Sequence, residues 1–232
     1  MRRFFCENIS ESAAIHKPDK GECRHIIQTL RMKVGDELLL MDGFGHFAEA
    51  VIKEIQGRNG VICELQKVVE MPRPDFELHL FVAPPSNGTT ALILKQAVEL
   101  GVHSVYLMSC RYSVSKSKKE KNVQAELIAA AKQSGNPWLP KIYSGLTFDE
   151  ALKMAPEHNF YGAVPEDDFY RPSEKINKAG LWIGPEGGFA DYELDRIQNL
   201  PATPMAVGPY ILRVETAVNS VCSVLLSKYG GE

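Results

Sequence analysis

Long apolar runs are missing from this chain: none of its 232 residues falls in a stretch approaching the roughly 18 apolar side chains that a membrane-spanning helix needs. The amino terminus, from Met1 and Arg2 through Phe5 and Cys6, turns acidic at Glu7 before a signal-peptide core could form. No membrane partner is therefore expected. Cysteine is sparse and unpatterned: the five residues Cys6, Cys23, Cys63, Cys110 and Cys222 are odd in number and contain no C-x-x-C. A disulfide framework or a zinc site is thereby disfavoured, and a cytoplasmic location is expected. The six histidines show no H-E-x-x-H or comparable spacing, so no metal is expected. Neither G-x-G-x-x-G nor a Walker A pattern occurs, which leaves a dinucleotide or nucleoside triphosphate without support. Excess charge is lacking too. With a net charge of −3, no global field attracts a polyanion, and a nucleic-acid role needs local clustering of charge.

What is present suits a folded protein of one or two domains: 44% hydrophobic and 24% charged residues, with a mean hydropathy of −0.17. The sharpest break is Met71-Pro72-Arg73-Pro74, where two prolines stiffen the chain into a short connector. It predicts domains at 1–70 and 75–232. The first reads mostly as strands, at 37–41, 47–55 and 61–69, the first two joined through Asp42-Gly43-Phe44-Gly45 as a tight turn. Cys23, Ile26, Ile27 and Leu30 recur at helical spacing and predict one helix over 21–30. A small β-barrel carrying one helix is the simplest assembly of these parts.

The second domain alternates. Strands are expected at 77–82, 102–108, 141–143, 160–164, 181–183 and 205–207. Helices are expected at 89–100, 121–133, 147–154, 191–199 with Asp191 as N-cap, and 215–228. Strands alternating with helices imply an α/β domain with a parallel sheet covered on both faces.

In such sheets ligands bind beyond the carboxyl ends of strands. Two loops there stand out. Gly184-Pro185-Glu186-Gly187-Gly188-Phe189 lets backbone approach a ligand and exposes N–H groups, although a tight strand-to-helix turn uses the same residues. Val207-Gly208-Pro209-Tyr210-Ile211-Leu212 runs into a helix whose first turn carries Arg213 and Glu215. Taken singly, Glu215 reads as a helix-start carboxylate and Arg213 as its surface partner. Between Arg111 and Lys121 five basic residues, among them Lys116, Lys118 and Lys119, face one acid, Glu120, for a local charge of +4. Phosphate contacts need such a cluster, although a charge run of this kind is usually just solvated surface. Arg2, Arg3, Arg24, Arg31 and Lys33 in the first domain could extend it. Ser86-Asn87-Gly88 reads as turn chemistry, not a nucleophile elbow.

Gly184 to Phe189, followed by Gly208-Pro209-x-Ile211-Leu212-Arg213-x-Glu215-Thr216-Ala217, resembles the RsmE family of 16S ribosomal RNA uridine-N3 methyltransferases, in the SPOUT superfamily. The likeness continues through Glu99-Leu100-Gly101-Val102, Lys132-Gln133-Ser134-Gly135 and His25 with Leu30, Arg31, Gly35 and Asp36, and so spans nearly the whole chain. It implies a PUA-like N-terminal barrel that helps hold RNA, then an α/β methyltransferase domain with a trefoil knot, acting as a homodimer. The implied cofactor is S-adenosylmethionine and the implied substrate a uridine of 16S rRNA in the small ribosomal subunit. Carried over by position, Gly184, Glu186, Gly187 and Gly188 line one wall of the cofactor pocket, and Val207, Gly208, Ile211 and Leu212 the other. Arg213 and Glu215 match the family's Arg-x-Glu pair and are expected to act on the base, with Glu186 the alternative proton acceptor. The chain departs from the pattern where the family carries Arg (here Tyr210 and Asn136), where it carries Thr (here Val214), and in placing a helix lysine at Lys95. A knotted methyltransferase for another rRNA or tRNA position, and a non-catalytic RNA-binding assembly factor, are the alternative readings.

Overall fold

In the computed structural model, which describes residues 1–9, 15–86, 88–114, 123–163 and 175–230, the chain divides into two units. The first is Met1–Arg73 with Leu127–Leu139, the second Pro74–Glu126 with Pro140–Glu232.

Period-2 alternation of apolar residues builds the first unit. Strands β1 (Arg3–Phe5), β2 (Ile15–His16), β3 (Glu37–Met41), β4 (His46–Gln56) and β5 (Gly60–Glu70) form a sheet in the order β1-β3-β4-β5-β2. The β1–β3 pairing is parallel and the others antiparallel. Leu38 and Leu40 on β3, and Ala48, Ala50 and Ile52 on β4, turn to one face and are buried with Phe4, Val61 and Cys63. The turn between β3 and β4 is set by buried Asp42, whose Oδ1 accepts from the N–H groups of Phe44 (2.7 Å) and His46 (3.2 Å).

The helix expected over 21–30 is corrected in one respect. Helix α1 (Lys20–Arg24) is capped by Asp19, whose Oδ1 accepts from the Glu22 N–H at 2.8 Å. The chain then widens into a π-helical turn, His25–Thr29, with the Leu30 N–H reaching the His25 carbonyl at 3.0 Å. This wider turn sets Cys23 and Ile26, with Ile27 and Leu30 beside them, against the core before Arg31 leaves in the left-handed region at φ 53°.

In the second unit, β6 (Glu77–Val82), β7 (Ser104–Ser109), β8 (Lys141–Thr147), β9 (His158–Gly162), β10 (Lys178–Ile183) and β11 (Ala202–Met205) form one sheet, order β11-β9-β10-β6-β7-β8. Every pairing is parallel. Helices α2 (Thr90–Leu100), α3 (Val123–Ser134), α4 (Phe148–Leu152), α5 (Asp191–Gln198) and α6 (Val214–Tyr229) connect the strands or follow them. Helix α3 belongs to both units, since from Leu127 onward it clusters with the first. Four aromatic residues at matching register stack across adjacent strands. Trp182 lies 4.1 Å from Phe81, Phe81 4.3 Å from Tyr106 and Tyr106 4.7 Å from Tyr143, ring centre to ring centre, with planes within 11° of parallel. This ladder locks the order β10-β6-β7-β8 through side-chain contact.

Two boundary expectations are corrected. Ala190, not Asp191, occupies the N-cap of α5, because buried Glu193 caps that helix instead: its Oε2 accepts from the Ala190 N–H at 2.9 Å. The strand expected at 205–207 ends at Met205, so Val207 lies in the loop that follows.

Candidate functional site

The carboxyl ends of six parallel strands share one edge of the second unit. After β8 the chain crosses to β9 and returns through β10, which pairs with β6. The strand order therefore reverses between β6 and β10, the kind of place where open α/β sheets hold ligands.

The loop after β10 is shaped by its glycines. It closes through the Gly188 N–H and the Pro185 carbonyl at 2.8 Å, with Gly188 at φ 75°. A Cβ on Gly184 would lie 3.2 Å from Gly188 and Phe189 backbone atoms, so the loop folds back on itself there. A Cβ on Gly187 would lie 3.2 Å from the Cβ of Tyr112, on the loop after β7. Glu186 turns to the neighbouring strand's loop: its Oε1 accepts from Ser86 twice, from the backbone N–H at 2.8 Å and from Oγ at 2.6 Å. These bonds, with its own backbone N–H, hold the Glu186 carboxyl below the ordinary carboxylate range.

Glu193 provides a second tie. Besides capping α5 it accepts from the Arg111 N–H through Oε1 at 2.8 Å, fixing the start of the loop after β7 against α5. The loop after β11 holds Gly208 at φ 76° and leads through exposed Tyr210 and Ile211 to half-buried Leu212. Arg213, exposed, is the N-cap of α6, and half-buried Glu215 stands in its first turn. No ion pair joins Arg213 to Glu215, so neither neutralises the other.

Of the residues singled out in the sequence, Gly184, Glu186, Gly187 and Gly188 thus follow β10, and Val207, Gly208, Ile211 and Leu212 follow β11 at the same edge. Arg24 and Arg31 lie exposed in the first unit, and Arg111 exposed in the second. Lys116, Lys118 and Lys119 lie outside the described residues. Ser86 was missed as a site residue. Its turn composition gave no signal, because its partner is 100 residues away. Glu193 was missed as well, hidden in an ordinary acidic helix start.

Comparison with known proteins agrees with this geometry. The family model described as an RNA methyltransferase domain matches residues 72–226, and that of an RNA methyltransferase PUA domain matches residues 18–66. The chain is 27% identical over 220 residues to ribosomal RNA small subunit methyltransferase E 2 of Borreliella burgdorferi, covering 89% of this chain and 90% of the relative. It is 25% identical over 241 residues to ribosomal RNA small subunit methyltransferase E of Bacillus subtilis, covering 94% and 93%. Among solved structures, a putative methyltransferase of Legionella pneumophila in complex with S-adenosylmethionine superposes with a TM-score of 0.88 at 24% identity, over 99% of this chain and 98% of that one. Ribosomal RNA small subunit methyltransferase E of Neisseria gonorrhoeae, bound to S-adenosylmethionine, gives 0.88 at 21% identity over the same shares. These two likenesses establish the fold, a PUA-like N-terminal domain followed by a SPOUT-like α/β domain. Among the described residues no helix is long and apolar enough to cross a membrane. With a methyltransferase model over two-thirds of its length and a PUA model before it, the chain belongs to the RNA methyltransferase family.

Proposed function

We propose that this chain transfers the methyl group of S-adenosylmethionine to N3 of one uridine in the 16S rRNA of the small ribosomal subunit. It does so in the cytoplasm as a homodimer, with the methyltransferase domain threaded as a trefoil knot. The observation that carries this reading is the pair of Gly-Pro loops at one sheet edge, after β10 and β11, the first pinned across the strand-order reversal by Glu186 and Ser86. The two relatives named above, which match over most of their length, are named as small-subunit ribosomal RNA methyltransferases, and two solved neighbours hold S-adenosylmethionine.

The residues present fit that donor. Gly188 and Gly208 have open space where a Cβ would stand, which leaves the backbone of both loops reachable by an adenosine. Gly184, Glu186, Gly187 and Gly188 take one side of it, and Val207, Gly208, Ile211 and Leu212 the other. S-adenosylmethionine brings a methyl already activated on a sulfonium, so the protein's share is aim and proton removal.

Uracil N3 is a poor nucleophile while it carries its proton. Glu215 accepts that proton, the N3 electron pair forms the bond to the methyl carbon, and the carbon–sulfur bond breaks to leave a neutral thioether. Arg213 stabilises the negative charge that spreads onto the uracil carbonyls. Glu186 serves less well as base, since Ser86 occupies its Oε1 and lowers its proton affinity. The base must reach the site unpaired or extruded. Residues 1–70 help hold the RNA, and Arg24, Arg31, Arg111, Lys116, Lys118 and Lys119 contact its phosphates, while 75–232 carry the transfer.

The test is Glu215→Gln. Turnover is expected to fall by roughly 10²–10⁴ while calorimetry with S-adenosylmethionine gives an unchanged affinity. Undiminished turnover would remove Glu215 from the role.

A further inference from the structure

The opposite edge of the six-stranded sheet, where the strands begin, carries a second group of side chains with ligand chemistry. Glu77 and His79 are two residues apart on β6 and so share a face. His103 enters from the turn before β7, where its backbone is held on both sides. Its N–H donates to the Leu78 carbonyl at 2.9 Å, and its carbonyl accepts from the Lys141 N–H at 3.2 Å. His79 Nε2 lies 3.4 Å from Glu77 Oε2, and His103 Nδ1 lies 3.7 Å from Glu77 Oε1. One ligand atom from each of the three comes within 4.8 Å of the other two. The pattern was invisible in the sequence, where 24 positions part the two histidines and no metal spacing shows.

We propose that Glu77, His79 and His103 bind one divalent transition-metal ion, with Zn²⁺ the best match, as a clamp between β6 and β7 remote from the methyl-transfer loops. Two imidazoles and a carboxylate are a donor set that zinc takes, with a fourth position left for water. Magnesium and calcium prefer oxygen ligands throughout. Tetrahedral bonds of about 2.0–2.1 Å put ligand atoms roughly 3.3 Å apart; His79 Nε2 meets that spacing from Glu77 Oε2 at 3.4 Å, while His103 Nδ1 lies 3.7 Å from the other oxygen, Oε1. The remaining adjustment falls to Glu77, which is only half-buried and gives the ion a path in from solvent.

A supporting shell is already in place. His79 Nδ1 lies 3.3 Å from the Tyr106 hydroxyl, which orients the ring so that Nε2 faces Glu77. Tyr106 is itself wedged between Phe81 and Tyr143 in the aromatic ladder. The position a cation would claim beside Glu77 is shared by Lys178, whose Nζ is 3.6 Å from Oε2 on a side chain 53% exposed. Such an arm swings into water at little cost, since exposed ion pairs contribute little.

The full chain, stripped with a chelator and dialysed, is titrated with Zn²⁺ in a calorimeter and with Co²⁺ in a spectrophotometer. One equivalent of Zn²⁺ is expected to bind, and Co²⁺ to develop the visible absorption of a four- or five-coordinate site. Glu77→Gln and His103→Gln, both at partly exposed positions and checked for native circular dichroism, are each expected to weaken Zn²⁺ binding about tenfold or more. His79→Gln, at a buried position, serves only as a third comparison. Absence of a stoichiometric Zn²⁺ site in the wild-type chain, or binding undiminished in both Glu77→Gln and His103→Gln, would overturn the proposal.

Discussion

Ser86 and Glu186, 100 residues apart in the chain, meet through two hydrogen bonds to one carboxylate oxygen, 2.8 Å from the Ser86 N–H and 2.6 Å from its Oγ. The contact joins the loops that follow β6 and β10, on either side of the strand-order reversal. A glycine-rich loop has many conformations available, and a charge-assisted pair of bonds narrows them to one. Ser86→Ala removes the hydroxyl bond and leaves the backbone one. S-adenosylmethionine affinity is expected to fall about fivefold, corresponding to roughly 1 kcal/mol for one such exposed, charge-assisted bond. Glu186→Ala, which removes both, is expected to cost more. Calorimetric dissociation constants equal to wild type in both variants would show that the contact does not shape the donor site.

In the first unit, the Lys132 ammonium pairs with Glu22, whose side chain is nearly buried, and Arg3 donates to the Lys132 and Gln133 carbonyls at the end of α3. Glu22 Oε2 has no further partner among the described residues. Lys132→Met would strand the carboxylate and is expected to destabilise the protein by about 3 kcal/mol. The double substitution Glu22→Leu with Lys132→Met should recover most of that loss, because the desolvation cost goes with the charges. Urea unfolding of the two variants distinguishes these outcomes.

Gly45 sits at φ 100°, and a Cβ there would fall 2.1 Å from the Trp138 ring. Backbone bonds from Gly45 N–H to the Pro137 carbonyl (3.0 Å) and from Leu139 N–H to the Gly43 carbonyl (2.9 Å) hold that ring against the turn. Gly45→Ala is expected to destabilise by about 2 kcal/mol or more, through strain at positive φ and displacement of the indole. Thermal unfolding measures it. An unchanged midpoint would mean that Trp138 moves away freely.

Burial pushes the thiols of Cys6, Cys63, Cys110 and Cys222 up from 9.0 to about 12. In the native protein they are expected to resist alkylation at pH 8 and to react only on unfolding. The same shift sets the sign of a pH effect. Below pH 9 the thiol is protonated in both states, so its contribution is fully present. Above pH 9 only the unfolded chain loses the proton, and stability falls as pH rises toward 12, by at most about 1.4 kcal/mol per pH unit for each thiol. Urea midpoints in reductant between pH 8 and 10 show the slope, and Cys222→Ala should make it shallower.

Much of this architecture could be read from local pattern. Strands β3 and β6 coincide with their expected bounds because alternation or a continuous apolar run ends at polar or turn residues. Gly101 closes α2 at φ 79°, the conformation its position after a helical run implies. What stayed hidden depends on register between distant segments. The ladder Trp182, Phe81, Tyr106 and Tyr143 needs four strands aligned at once. The attachment of Leu127–Leu139 to the first unit runs against the order of the chain and leaves no local trace. At the site, glycines betray the loops because a close approach of backbone needs them. Ser86 and Glu193 are common residues whose meaning lies entirely in their partners.

The central claim is methyl transfer to a uridine ring nitrogen, and a reconstituted reaction tests it most directly. Purified protein is incubated with small ribosomal subunits that lack the modification and with isotopically labelled S-adenosylmethionine, and the rRNA is digested to nucleosides for mass spectrometry. The account predicts one labelled methyl per subunit, recovered as N3-methyluridine and formed roughly 10²–10⁴-fold more slowly when Glu215→Gln replaces the wild-type chain. Label recovered on ribose, on another base or not at all, under conditions where the protein binds the donor, would contradict it.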